Sequence, residues 1–138
     1  MSVLNYTTSI SAEKTKSEIV NLLTDHGASR ITVINDPDGL EFEYRGLWYR
    51  VPADSRGVLR LLEKERNSKA PATPKHARMV AWRTLRQWIQ AQLAIIEAGM
   101  ADLDQVMLPY LLDDNRRLTT YDAWKENRKQ IGQGEKTR

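Results

Sequence analysis

The spacing of apolar positions changes several times along this chain, and each change marks an element. The opening "VLNYTTSIS" alternates and is rich in β-branched residues, which predicts a strand with Leu4, Tyr6, Thr8 and Ile10 on one side. Ser11 then caps a helix in "SAEKTKSEIVNLLTDHG", where Ala12, Ile19, Leu22, Leu23 and His26 share a face and Lys14, Glu18 and Asp25 lie away from it. Gly27 supplies the left-handed residue that ends this helix. "SRITVIN", the junction Asp36-Pro37-Asp38-Gly39 and "LEFEYR" read as a β-hairpin. Leu40, Phe42 and Tyr44 fall on one face of its second strand and Glu41, Glu43 and Arg45 on the other. After a tight turn at Gly46, "LWYRVP" gives a third strand in which Leu47, Tyr49 and Val51 alternate with Trp48 and Arg50.

A 3.6-residue period returns in "SRGVLRLLEKER", with Asp54 as the expected N-cap and Val58, Leu59, Leu61 and Leu62 on the inner side. "NSKAPATP" breaks that period. Thr73 as cap and Pro74 at the first position open a long helix that Gly99 stops. Asp102 and Gln105 have the spacing of a capping box for a short helix ending near Pro109, and Thr119 or Thr120 starts a last helix running through Trp124. The expected fold is α+β: a small antiparallel β-sheet with two helices in the order β-α-β-β-β-α, then a helical C-terminal part with one long helix. Residues 1–66 form the α+β unit, 67–74 a connector, 75–131 the helical part packed with it as one domain, and 132–138 a flexible tail.

On a helical wheel of the long helix, Arg83, Arg86, Gln87, Gln90 and Glu97 gather on one side and Ala81, Trp82, Leu85, Trp88, Ile89, Leu93 and Ile96 on the other. That separation predicts a packing helix with a solvated polar face. It differs from a base-stacking platform, which interleaves rings and cations. Trp82 stands one turn before Arg86, within reach of a cation–π contact. Gln92 interrupts the apolar stripe as a core amide or registry device would. The breadth of the stripe points to a homo-oligomer interface of Trp82, Leu85, Trp88, Ile89, Gln92, Leu93 and Ile96, or to packing against the short helix after Gly99.

Composition removes several chemistries. The chain has 138 residues, no cysteine and two histidines, so disulfides, thiol nucleophiles and thiolate zinc sites are excluded and a metal centre would need carboxylates for most of its ligands. No metal and no cofactor is expected. The uncharged run Gln87 to Ile96 spans ten residues, and even the longest, Met1 to Ala12, spans twelve against the roughly 20 of a membrane helix; the N-terminus lacks a secretory pattern, so a cytoplasmic protein without membrane contact is expected. "PDGLEFEYR" places Asp38, Glu43 and Arg45 too tightly for a metal-dependent nuclease site, Asp113-Asp114 are adjacent and not facing, and no phosphate loop or serine elbow is present. The expectation is a protein that is not an enzyme.

Charge is distributed unevenly. Residues 55–78 carry seven basic and two acidic side chains and residues 116–138 seven and three, whereas 1–54 and 79–115 are each net negative. Such clustering favours anionic partners. Arg56, Arg60 and Lys64 recur every four residues on one helix face, and Arg66, Lys69, Lys75 and Arg78 continue the run. Repeated cations of this kind neutralise phosphates. The sheet offers a second surface, on which Arg30, Arg45, Trp48 and Arg50 share a parity beside Glu41 and Glu43. Trp and Arg on an open sheet can hold bases of a single strand, although Arg–Glu pairs across strands are also ordinary surface chemistry.

"YTTSISAEKTKSEIVNLLTDHGA" and "VAWRTLRQWIQAQLAIIEAGMADLDQVMLPYLL" resemble small uncharacterised proteins encoded by tailed bacteriophages. The resemblance implies a context, a phage protein acting in the cytoplasm of an infected bacterium, and carries no mechanism. Two functions are compatible with these features. The first is a non-enzymatic nucleic-acid-associated protein binding single-stranded DNA through Arg45, Trp48, Arg50, Arg56, Arg60, Lys64, Arg66, Lys69, Lys75 and Arg78. The alternative is an accessory or anti-defence protein that binds a host protein or sequesters a small anionic nucleotide.

Overall fold

A computed structural model of the chain describes residues 4–65 and 69–136, with side chains to residue 128. The first regular element is a helix and not a strand. Residues 4–7 form a turn in which Asn5 has φ 63° and Thr8 N donates to Asn5 O at 3.0 Å, a local closure that an extended strand cannot make. This segment lies along the long helix. His76 Nε2 meets the Tyr6 carbonyl at 2.7 Å, and Asn5 Nδ2 donates to Gln87 Oε1 at 3.2 Å.

Helix α1, Ala12–Asp25, starts where Ser11 Oγ accepts from Lys14 N at 3.1 Å and buries Ile19 and Leu23. Gly27, at φ 95°, turns the chain into β1 (Ser29–Asn35). Antiparallel strands β2 (Asp38–Tyr44) and β3 (Leu47–Pro52) complete a sheet in the order β1-β2-β3. The first hairpin is tighter than the sequence suggested: Asn35 pairs with Asp38, so the turn is Asp36-Pro37 alone and Asp38-Gly39 belong to β2. Gly39 is required there, because a Cβ would sit 2.8 Å from the Val51 carbonyl of the neighbouring strand. The second hairpin turns on Arg45 (φ 51°) and Gly46 (φ 82°), two left-handed residues as a type I′ turn needs.

The period-2 pattern is realised as expected: Leu40, Phe42, Tyr49 and Val51 are fully buried, with Phe42 and Tyr49 stacked at 5.3 Å between ring centroids. Helix α2, Arg56–Glu65, follows, with Asp54 one position before the cap and its carboxylate accepting Arg56 N at 3.0 Å. Leu62 packs with Tyr6, Ala70 and Ala77 in a small cluster apart from the main core. Helix α3, Pro74–Glu97, is capped by Thr73 Oγ1, which accepts from His76 N at 3.1 Å.

The long helix corrects two expectations. Trp82 and Ile89 are completely buried and Leu93 nearly so, in one core with α1, the sheet, and Leu103 and Met107 of α4 (Leu103–Met107); Leu85, Trp88 and Ile96 pack against its edge. The stripe assigned to a second copy is therefore filled by this chain, through α1, the sheet and the short helix after Gly99; Gln92 is half-buried beside it. The polar face is not simply solvated either. Arg83 Nη1 and Arg86 Nε lie 2.9 Å from the two carboxylate oxygens of Glu18 on α1, with their side chains 17% and 19% exposed. Trp82 meets Lys16, whose Nζ lies 5.3 Å from its ring centroid, in place of Arg86. Lys16 is itself buried, held by Glu13 and Asn35.

Beyond α4 a 3-10 turn, Leu108–Tyr110, leads to a short extended stretch that borders the sheet: Leu112 N donates to Trp48 O at 2.8 Å and Tyr49 bridges Leu111. A bridge between Leu112 and Thr119 closes the loop in between. Helix α5, Thr120–Lys136, is capped by Thr119 Oγ1, which accepts from Asp122 N at 3.1 Å, and runs well past Trp124 into the expected tail. Among the described residues no helix is long and apolar enough to cross a membrane.

Candidate nucleic-acid interface

The sheet's second face carries Glu41, Glu43, Trp48 and Arg50, as alternation requires, with Glu41 opposite Arg50 and Glu43 opposite Trp48. The chain itself occupies much of this face. Arg50 Nε and Nη2 approach Glu41 Oε2 at 2.8 and 2.7 Å, while Nη2 and Nη1 donate to the carbonyls of Arg116 and Arg117 at 3.1 and 3.4 Å. The guanidinium of Arg116 lies 4.1 Å from the Trp48 ring centroid. Arg45 stands at the hairpin turn, exposed and 5.2 Å from the Tyr44 ring, and Arg30 is 3.6 Å from Glu43. An arginine satisfied four times and a tryptophan under another arginine leave little with which to hold a base.

The basic run divides in the same way. Arg78 forms a two-pronged pair with Asp38, at 2.9 and 3.3 Å, that ties α3 to the start of β2. Arg56 is 83% exposed, yet its guanidinium grips Asp54 at 2.6 Å. That grip holds the Asp54 carboxyl down at a pKa of about 2, mainly through the side-chain hydrogen bond, and raises the Arg56 guanidinium above its usual range. Arg60, Lys64 and Lys75 are exposed and make no ion pair with a described residue. Lys69, in the connector, is also exposed, and Arg66 lies outside the described residues.

Packing turns these cations to the surface of α2 and α3. Leu62 sits against Ala77 and Ala70, with Val58 and Leu59 at the edge of the cluster, so the inner side of α2 rests on the first turns of α3. Arg60 and Lys64 are then turned outward, and Lys75 stands two residues from Ala77. Gly57 lies beside them without a side chain: a Cβ there would be 3.7 Å from Arg60 Nη2. Of the candidates, Arg60, Lys64 and Lys75 are thus outward and outside any ion pair with a described residue, while Arg50 and Arg78 are committed to Glu41 and Asp38. Arg116 and Glu18 were not singled out from the sequence, since no local spacing reports a partner 68 residues away at Trp48 or 65 away at Arg83.

A separate cleft of about 560 Å³ opens at the hairpin end of the sheet's second face. Tyr110 and Tyr121 line it together with Asp36, Asp38, Glu41 and Asp122, and among the described residues Arg50 is its sole lining cation. Four carboxylates against one guanidinium do not suit a phosphate. Among the described residues no group of His, Asp and Glu is placed to hold a metal ion.

No family model, curated protein or solved structure matches this chain.

Proposed function

We propose that the protein binds nucleic acid without catalysis, single-stranded DNA first among the candidates, through the outward cations of α2 and the start of α3. The observation that carries this reading is the contrast between Arg60, Lys64 and Lys75, exposed and unpaired among the described residues, and Arg50, Arg78, Arg83 and Arg86, each committed to a carboxylate. Phosphate contacts need cations that are available without first breaking an internal pair. Along α2, positions 60 and 64 are about one turn apart, roughly 6 Å in rise, so the two cations can face one strand's backbone together.

The outer side of α2 carries no aromatic ring between Arg56 and Glu65. Binding is accordingly to the backbone, insensitive to base sequence and strongly salt-dependent. Taken with the resemblance to proteins of tailed bacteriophages, the reading is of a phage protein acting on nucleic acid in an infected cell. Fluorescence anisotropy with a labelled single-stranded oligonucleotide at low salt tests it: the wild type binds, and Arg60→Ala with Lys64→Ala weakens binding at least tenfold. Equal affinity in the double variant refutes the proposed surface, and no binding by the wild type at low salt refutes the function.

A further inference from the structure

The cleft at the hairpin end has a chemistry opposite to that of α2, and nothing in the nucleic-acid reading uses it. Two of its carboxylates are already neutralised at home. Asp38 holds Arg78 at 2.9 Å, and Glu41 holds Arg50 at 2.7 Å. The other two, Asp36 and Asp122, are exposed, and neither carboxylate has an ion pair or hydrogen bond with a described residue. They reach the cleft from places far apart in the chain, the β1–β2 turn and the first turn of α5.

Between them the walls are aromatic and apolar. Tyr110 is held by an edge-on contact with Trp88 at 5.6 Å, and Tyr121 by Trp124 at 5.9 Å. Tyr121 and Trp124 are about half exposed, so this rim stays open to solvent. Ile34, Pro37 and Pro52 add apolar lining. A volume of about 560 Å³ lies within the usual range for small-ligand sites, which pair an apolar, aromatic lining with a few polar groups that fix orientation. Here the polar groups left over are carboxylates, acceptors with negative charge, and the rings beside them have electron-rich faces.

We propose that this cleft binds an organic cation, a guanidinium or ammonium group on an apolar stem, with Asp36 and Asp122 taking the charge and Tyr110 and Tyr121 flanking the stem. An arginine or lysine side chain of a partner peptide and a free alkylamine share this chemistry. The site does not depend on the α2 surface, and the two readings stand or fall separately.

Calorimetric titration of the full chain with agmatine, and in parallel with a blocked Gly-Arg-Gly peptide, tests the proposal, with N-butylurea as the uncharged control. At least one cation binds at millimolar concentration or below and N-butylurea does not. Tighter binding of the peptide assigns the site to a partner protein, and tighter binding of agmatine to a free ligand. Asp36→Asn with Asp122→Asn weakens the cation at least tenfold; both positions are exposed and lose no internal partner, so the fold persists, which circular dichroism verifies. Tyr121→Ala weakens it by a smaller factor, and Arg60→Ala with Lys64→Ala leaves it unchanged. Binding of neither cation, equal binding of N-butylurea, or undiminished affinity in the double asparagine variant overturns the proposal.

Discussion

Arg116 closes over Trp48, its guanidinium 4.1 Å from the ring centroid, and the carbonyls of Arg116 and Arg117 receive the two ends of Arg50. One loop thereby occupies both residues that would make the sheet a base-stacking surface. This relationship moves the nucleic-acid reading from the sheet to α2. Trp48→Phe is expected to leave oligonucleotide affinity within twofold of wild type, measured by anisotropy. Arg116→Ala exposes the ring, so Trp48 emission shifts to the red against a Trp48→Phe baseline, at a stability cost of about 0.5–1 kcal/mol for the lost cation–π contact.

Trp82 is completely buried beneath Lys16 and within the core shared by α1, the sheet and α4. Trp82→Ala removes one of the largest core side chains and is expected to destabilise the protein by about 3–5 kcal/mol in urea denaturation. The transition midpoint is expected to be independent of protein concentration for wild type and variant alike, because the face that carries Trp82, Ile89 and Leu93 is covered within one chain.

Glu18 is the hinge between α1 and α3, and acid should reveal it. The Arg83 hydrogen bond, followed by the charges of Arg83 and Arg86, holds its carboxyl below the ordinary value of 4.5. A carboxyl depressed in the folded state contributes its stability above the unfolded pKa and loses it as pH falls through the folded one. Denaturant midpoints should thus be flat near neutrality and fall as pH drops below 4.5. Glu18→Gln lowers the neutral midpoint and flattens that fall.

Asp54 should act at lower pH. Gripped by Arg56, its carboxyl is held at about 2 against an ordinary 3.8, so its contribution is present above 3.8 and disappears between 3.8 and about 2. The pair is exposed and screened, so Asp54→Asn is expected to alter only that acid segment of the stability profile, by a small amount that high salt reduces further.

The parts of the fold that follow from local chemistry were legible in the sequence. The alternation of Leu40, Phe42, Tyr49 and Val51, the Thr73-Pro74 helix start, the Asp102/Gln105 capping box and the Thr119 cap all have short-range physical causes. What escaped was settled at long range. "VLNYTTSIS" has the period of a strand, but the described part of it, from Leu4, is held on α3 through His76 and Gln87, a tertiary contact that overrides β propensity. Arg83 and Arg86 look solvated on a wheel because the wheel does not contain Glu18. Of the candidate site, the α2 cations were visible as a repeat of four. Their distinction from Arg50 and Arg78 was not, since charge type is local and ion pairing is not. The cleft was invisible for the same reason: Asp36 and Asp122 come to line one cleft only in the folded chain.

If Arg60 and Lys64 touch phosphates, as proposed, the salt dependence of oligonucleotide binding reports it. Each single-strand phosphate contact contributes about 0.7 to the slope of log K against log salt, so removing these two cations should make the slope shallower by about 1.4 while affinity falls alike for every base sequence. A slope that stays the same in Arg60→Ala with Lys64→Ala rules out phosphate contact by these two side chains.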